Sequence, residues 1–457
     1  MILKDVTIRG YRSFAEAQTL RFATPSGSPG SGLTLVVGPN GSGKSSVIEV
    51  IQFLSSRSRS PSIEEGQKNA KTNGDIHIVF TTPSEKLEIR TGPAGIPAWH
   101  PSPPSTRTTT VYTLPPRRII EPAFGITPQD RSSYLEQAPD FSARRPYGSN
   151  FPSRLVNIDS WKDLYFGVLR RILPSPPNWY LARSEQGNYY LNVTSGTSPH
   201  RSDGLGSGTT SAIHVADALY DSKPNDLIAL DEPELSLHPA AQRRLCDLIV
   251  ELSADRQIII ATHSPFLVPL ELLGTGMQVA RLYHTDTGTQ VGQLSANSMS
   301  ALSAFLGDRN NPHVLGLDAR ESVFLEDNVI LVEGQDDVLG YRRLLTPLKA
   351  PCPPSFFGWG VGGASKMLTI AQMLRELGLR RVVGILDKGK ESELAALKAA
   401  FPEYHFEIIP TPDLRGKPAR PPSLAQEGLL DATGHVRPEH AVYIESLRAA
   451  LTAYFAD

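Results

Sequence analysis

The stretch Gly38-Pro39-Asn40-Gly41-Ser42-Gly43-Lys44-Ser45 fits the spacing GxxxxGK[ST], and the apolar run Leu33–Val37 leads straight into it. Glycines at such a turn let successive backbone N–H groups point inward at a polyanion, and a helix opening at Lys44 adds the partial positive charge of its N-terminus. Lys44 then reaches the outer phosphates, the Ser45 hydroxyl is a magnesium ligand, and Ser46 continues the cradle. Val47, Ile51 and Leu54 fall at i, i+4 and i+7, so the helix has one face to bury. A strand, a phosphate loop and an amphipathic helix in that order set an α/β nucleotide-binding fold.

Three further stretches bear on the same chemistry. Leu227-Ile228-Ala229-Leu230-Asp231-Glu232 is an apolar strand ending in two acids. Asp231 is the candidate to hold magnesium through water, and Glu232 the candidate to orient an attacking water. Thr262-His263-Ser264-Pro265 follows the strand Gln257–Ala261, and His263 at that strand end is placed to sense a γ-phosphate. Gly204-Leu205-Gly206-Ser207-Gly208-Thr209 opens another helix, whose first backbone amides form an anion site or a simple cap.

In chain order, these elements resemble the Walker A, signature, Walker B and switch-histidine motifs of ABC ATPases, over residues 1 to about 270. The resemblance implies ATP and Mg(2+) as cofactors. It also implies that Ser207, with Gly208, completes the nucleotide site of a partner subunit, so that two copies of the chain enclose two ATP molecules. The signature GLGSGTT departs from the LSGGQ form of membrane transporters and is similar to the SMC, RecF and OLD (overcoming lysogenization defect) branch. DEPELSLHP from Asp231, ATHSP from Ala261 and the opening RGYRSF carry the same likeness. Within that branch Arg12 and Phe14 are expected at the nucleotide base, and Gln67 is the candidate for the Q-loop.

From Asn328 onward, strands alternate with helices, which argues for a parallel sheet with crossover helices. Val329-Ile330-Leu331-Val332-Glu333-Gly334 and Leu386-Asp387 are strand ends carrying acids. This part resembles a Toprim domain, which implies Glu333 and Asp387 as magnesium ligands for phosphodiester chemistry and Lys417 as the basic residue steadying the phosphate. The family's DxD reads here Asp387-Lys388-Gly389, so another carboxylate would have to serve a two-metal site, with Asp336, Asp337 and Glu391 as candidates. An ABC-type P-loop ATPase domain followed by a Toprim-like parallel α/β domain is the layout of OLD-family proteins. It implies an ATP-regulated, metal-dependent DNA nuclease or related antiviral defence effector. The alternative is an ATPase sensor or scaffold whose Toprim-like domain is catalytically inactive and binds a separate effector or trigger protein.

Length and composition bound these expectations. A chain of 457 residues exceeds one core, and the reading is residues 1–325 for the ATPase domain and 326–457 for the Toprim-like one. Residues 92–154 change character, with PAWHPSPPS, TLPPRR and a TTT tract, and read as a Pro-rich insertion. A net charge of −2 means that DNA binding has to rest on local patches such as Arg117-Arg118, Arg144-Arg145 and Arg170-Arg171. Two distant cysteines, Cys246 and Cys352, argue against a disulfide framework or a cysteine-rich zinc site. With no apolar run of roughly 18 residues and no signal-peptide stretch at the start, the expectation is a cytoplasmic protein without a membrane segment. The signature and the extra α/β domain speak against a transporter ATPase. The absence of heptads between Lys44 and Ser207 speaks against a chromosome-organising coiled-coil protein.

Overall fold

Leu33–Val37, Leu227–Asp231 and Gln257–Ala261 are buried at every position, as expected for strands covered on both faces of a parallel sheet. The computed structural model describes residues 2–55, 61, 63–92, 95–100, 111–120, 124, 130–137, 151–159, 161–185, 187–195, 198–269, 272–306, 320–321, 327–345, 348, 354–416, 426–431 and 433–456. They form two compact units, Met1–Gln293 and Leu294–Asp457.

In the first unit, a six-stranded sheet runs in the order Gly288–Gln293, Gln278–Thr285, Leu33–Val37, Gln257–Ala261, Leu227–Asp231, Val111–Leu114. All neighbours are parallel except the Gly288–Gln293 hairpin edge. A five-stranded antiparallel sheet, Gln18–Arg21, Asp5–Arg9, His77–Thr81, Lys86–Thr91, Pro97–His100, lies over it. The helix Lys44–Gln52 is buried with both: Val47 and Ile51 join one core with Val6, Ile78 and Phe80 of one sheet and Ala229, Ile259 and Leu282 of the other. Burying a side chain such as Ile259 stabilises by about 2–3 kcal/mol. Gln257 stitches the sheets together. Its buried amide accepts from Leu3 N at 2.9 Å and donates to the carbonyls of Leu3 and Ala23, each at 2.7 Å.

The segment 92–154 is more than an insertion. Val111–Leu114 pairs with Leu227–Leu230 and is wholly buried, so it belongs to the central sheet. The four residues Val-Tyr-Thr-Leu, between a threonine tract and two prolines, are too short a run to show any period, which hides the strand from a local reading. Asn178–Arg183 pairs antiparallel with Tyr189–Ser195.

In the second unit a four-stranded parallel sheet runs Ser355–Phe356, Asn328–Leu331, Arg381–Leu386, His405–Ile408. Helices Gln335–Leu345, Ala364–Glu376 and Glu391–Ala400 make the crossovers. Ile330, Val383 and Ile385 pack with Tyr341, Ile444, Leu447 and Leu451 in its core. The sheet order reverses between Asn328–Leu331 and Arg381–Leu386, which makes their carboxyl ends a topological switch point. This unit begins at Leu294, upstream of the boundary expected at 325/326. Glu376 explains the difference: it accepts from Ser295 N at 2.6 Å and Ser295 Oγ at 2.9 Å, and so recruits the turn before helix Ala296–Leu306. Among the described residues no helix is long and apolar enough to cross a membrane.

Candidate functional site

The phosphate loop is built by close approaches that only certain residues allow. Gly38 has φ +139°, and a Cβ there would come within 2.1 Å of the Leu282 carbonyl, so the loop can lie on its neighbouring strand only with glycine. The hairpin behind the loop secures it from that side: Thr289 Oγ1 donates to the Ser42 carbonyl at 2.9 Å, and His284 Nε2 lies 2.6 Å from the Gly41 carbonyl oxygen. Asn40 and Gly41 are on the exposed tip, whereas Ser42, Lys44 and Ser46 are buried.

Lys44 opens its helix and donates to the carbonyls of Gly38 and Pro39, both at 2.9 Å. Burial lowers its ammonium to about 8, against the opposing pull of Glu232, Asp231 and Glu234. It therefore keeps its charge at neutral pH and carries it next to three acids. Asp231 is pushed up to about 7, chiefly by burial, while the Ser45 hydroxyl donates to its carboxylate. Its Oδ1 is buried and takes no hydrogen bond among the described residues. Two oxygen groups side by side, one a buried and under-satisfied carboxylate, fit a hard divalent cation such as magnesium.

Glu232 follows in a left-handed conformation, φ +47°, with its N–H bonded to the Ala261 carbonyl at 2.8 Å. That turn swings its side chain toward His263, whose Nε2 lies 3.8 Å from Glu232 Oε1. Burial, followed by the charge of Lys44, pushes the His263 imidazole down, so it is neutral at pH 7. The expected residues Lys44, Ser45, Asp231, Glu232 and His263 thus meet at the carboxyl ends of adjacent parallel strands.

Glu234 completes this rim, and its role was not legible from the chain. Its Oε1 accepts from Thr262 Oγ1 at 2.6 Å and from the His263 N–H at 2.9 Å. Burial raises its carboxyl above the usual range. The one sequence signal is an acid two positions beyond Glu232.

Arg118 was read as part of an exposed basic pair. Only Arg117 is exposed. The Arg118 guanidinium donates to the carbonyls of Asp231 at 2.6 Å and Glu232 at 2.9 Å, and to the Ser211 hydroxyl. It is not open to nucleic acid. Arg171 is paired with Glu251 at 2.7 Å, and Arg144-Arg145 lie outside the described residues.

The signature segment stands apart from these groups. Ser207 is exposed at the first turn of helix Ser207–Tyr220. Gly208 is forced: a Cβ there would come within 2.5 Å of the Ser236 carbonyl oxygen, in the turn just after the acidic strand. Arg12 and Phe14 do not reach outward as expected at a base. Phe14 is buried, and Arg12 is paired with Glu49 of the phosphate-loop helix at 2.6 Å. Gln67 joins them, donating to the Tyr11 hydroxyl at 3.3 Å.

In the second unit Glu333 and Asp387 sit on neighbouring strands, and Glu333 Oε1 accepts the Asp387 N–H at 3.1 Å. The three auxiliary acids have partners of their own. Asp336 pairs with Arg415, Asp337 accepts from Gly334 N at 2.8 Å, and Glu391 accepts from Gly389 N at 3.3 Å. Among the described residues no group of three or more His, Cys, Asp or Glu side chains forms a metal cluster. Lys417 lies outside the described residues.

Comparison with known proteins places these motifs. A sequence profile described as "AAA domain, putative AbiEii toxin, Type IV TA system" matches residues 113–268, and one described as "AAA domain" matches residues 5–95. The chromosome partition protein Smc of Mycolicibacterium paratuberculosis is 39% identical over 89 residues, covering 20% of this chain and 6% of that protein. The Old nuclease of Escherichia phage P2 is 24% identical over 194 residues, covering 38% of this chain and 32% of that protein. The matches thus span well under half of these relatives' own length. Among solved structures, an Smc head bound to the C-terminal winged-helix domain of ScpA aligns over 66% of this chain and 100% of its own, with 14% identity and a TM-score of 0.41. The SMC head domain of Thermotoga maritima aligns over 65% and 100%, with 18% identity and a TM-score of 0.38. With the phosphate loop, strand-end acids and histidine on one rim of a largely parallel sheet, and AAA-domain profiles matching residues 5–95 and 113–268, the Met1–Gln293 unit is an α/β P-loop domain similar to AAA domains.

Proposed function

We propose that the chain hydrolyses ATP with magnesium, as at least a dimer, and couples that cycle to DNA in the manner of OLD-type proteins. The observation that carries the reading is the rim where Lys44, Ser45, Asp231, Glu232 and His263 converge. Magnesium, held by Ser45 and on the Asp231 side, would neutralise charge on the β- and γ-phosphates. The loop amides and Lys44 bind the phosphates. Glu232 orients the attacking water and draws its proton, and neutral His263 offers a hydrogen bond to the γ-phosphate. Ser207 is exposed at a helix start, which suits a role on the partner subunit's nucleotide. Hydrolysis and assembly are tested together by Ser207→Arg and Lys44→Ala chains. Each alone should be inactive, and mixing them should restore one of two composite sites. No recovery in subunits shown to exchange would overturn the shared-site arrangement.

For the second unit, the leading reading is metal-dependent cleavage of DNA by Glu333 and Asp387 at the switch point. The rival is an inactive Toprim-like domain that binds an effector or trigger protein. The capture of Asp336, Asp337 and Glu391 by other groups favours the rival. Incubating pure protein with plasmid DNA and magnesium or manganese, with and without ATP, separates the two. Cleavage abolished by Glu333→Ala supports the nuclease, and intact DNA under all conditions removes it. The proposed setting is the cytoplasm.

A further inference from the structure

Arg118 touches both the acidic strand end and the signature helix. Its Nη2 donates to the carbonyls on either side of the Glu232 N–Cα unit, Asp231 O at 2.6 Å and Glu232 O at 2.9 Å. Its Nη1 donates to the hydroxyl of Ser211, a buried residue one helical turn beyond Ser207. Its Nε donates to the Pro115 carbonyl at 3.1 Å, which anchors the side chain just beyond the edge strand Val111–Leu114.

We propose that Arg118 is a strut linking the signature helix to the backbone of the catalytic glutamate within one chain, so that one guanidinium fixes both the Glu232 turn at the chain's own nucleotide and the position from which its Ser207 meets the partner's nucleotide. The proposal rests on the shared-site reading above and goes beyond it.

Three features support the strut over simple charge balance. First, Asp231, Glu232 and Glu234 all lie near enough to act on Arg118 electrostatically, yet its described hydrogen bonds go to three carbonyls and a hydroxyl. A guanidinium spent on backbone carbonyls fixes geometry. Second, Glu232 has φ +47°, a conformation that a non-glycine residue keeps only when its surroundings impose it, and both carbonyls flanking its φ/ψ pair are held by this group. Third, the guanidinium is a rigid planar fork, so Ser211 and the Glu232 turn are held at one fixed separation without a soft torsion in between. Movements of about 1 Å at a reacting group are enough to change rates by up to a hundredfold. Arg118 acts through Glu232 and the helix, so it is a positioning residue.

The test uses full-length chains carrying two different tags, from which only mixed dimers are recovered. In a dimer of Arg118→Ala with Glu232→Gln, the live site uses the Arg118→Ala chain's own phosphate loop and glutamate. In a dimer of Arg118→Ala with Ser207→Arg, the live site uses the partner's phosphate loop and glutamate, and the Arg118→Ala chain supplies only its signature helix. The strut predicts that kcat falls on the order of tenfold or more in both dimers while KM for ATP stays within about threefold. Millimolar guanidinium should restore part of the loss, and Arg118→Lys should restore little, because an ammonium lacks the fork. Loss confined to the dimer with Glu232→Gln would mean that Arg118 holds only its own glutamate, which overturns the link. Full activity in both would overturn any positioning role. Should Arg118→Ala not fold, the same pair of dimers made with Arg118→Lys decides the question by the same readings. Unsubstituted chains mixed with Ser207→Arg must show one site's turnover. Failure of that control sinks the shared-site reading itself, and with it the strut.

Discussion

At the end of Leu227–Asp231, the two acids face a buried lysine, a serine hydroxyl and a neutral histidine, and Glu234 and Arg118 fasten the backbone around them. At the end of Asn328–Leu331 and Arg381–Leu386, Glu333 and Asp387 are only partly buried, and Glu333 takes the Asp387 N–H. The Glu333 carbonyl receives Gly362 N at 2.9 Å and Gly363 N at 3.0 Å, and Gly360, at φ +92°, packs where a Cβ would strike the Gly334 backbone at 2.7 Å. Both rims follow the same local pattern of an apolar parallel strand running out into acids. They differ in what the rest of the chain brings to them. The first sets buried Lys44, Asp231 and Glu234 beside half-buried Glu232 and His263, and the buried charges are felt strongly. The second is the more open, with both acids half-buried, and its spare carboxylates take backbone N–H groups or an ion pair.

The largest effect expected from this contrast comes from Glu232→Gln. Removing a water-orienting carboxylate should lower ATP turnover by about a hundredfold or more while ATP binding persists. Glu333→Ala and Asp387→Ala, at the other rim, should leave turnover unchanged in a phosphate-release assay. A large loss from either would mean that the two rims work as one. Next is Glu234→Ala. Loss of the bonds to Thr262 and the His263 N–H should free the histidine loop and lower kcat about tenfold, and Glu234→Gln should recover part of it by keeping one acceptor. Equal losses for both would make the negative charge, rather than the hydrogen bonds, the operative feature.

A smaller effect sharpens the picture of the open rim. Arg415→Ala releases Asp336, and if Glu333 and Asp387 hold a cation, the freed carboxylate should tighten manganese binding by about threefold in calorimetry. Unchanged affinity would place Asp336 out of reach. The smallest is acid sensitivity of the second unit. Burial raises the Glu376 carboxyl, but bonds from Ser298, Ser295 and Gln372 outweigh it and hold it below its ordinary value. A depressed carboxylate contributes stability fully above its unfolded value of about 4.3 and loses it as pH falls through the folded value. Melting followed by a probe in this unit should therefore fall below pH 4, and less steeply in Glu376→Gln.

Much of the first rim was legible because its chemistry is local. A phosphate loop needs glycines at fixed spacing and a helix directly after, and Asp231 and Glu232 are adjacent in sequence. What escaped reading depends on distant pairing. Arg118 bonds to residues 93 and 113 positions away, and no periodicity marks such a partner. The strand Val111–Leu114 is only four residues long, and its pairing with Leu227–Leu230 supplies the evidence for it. Arg12 was expected at a base because a likeness carries roles by position; here Glu49, 37 residues on, claims the guanidinium. At the second rim the positions of Glu333 and Asp387 were legible from the strand ends, while the commitments of Asp336 and Asp337 were not.

The left-handed turn at Glu232 also bears on how this position can change over generations. A side chain other than glycine, asparagine or aspartate is disfavoured there by about 1–2 kcal/mol, so the glutamate proposed to orient water is also the less stable choice. Selecting a saturated library at position 232 for folding alone should therefore return glycine, asparagine and aspartate, and selecting it for turnover should return glutamate. Lineages released from the need to hydrolyse ATP would drift toward the first set, and the residue found at this position would record whether that need persists.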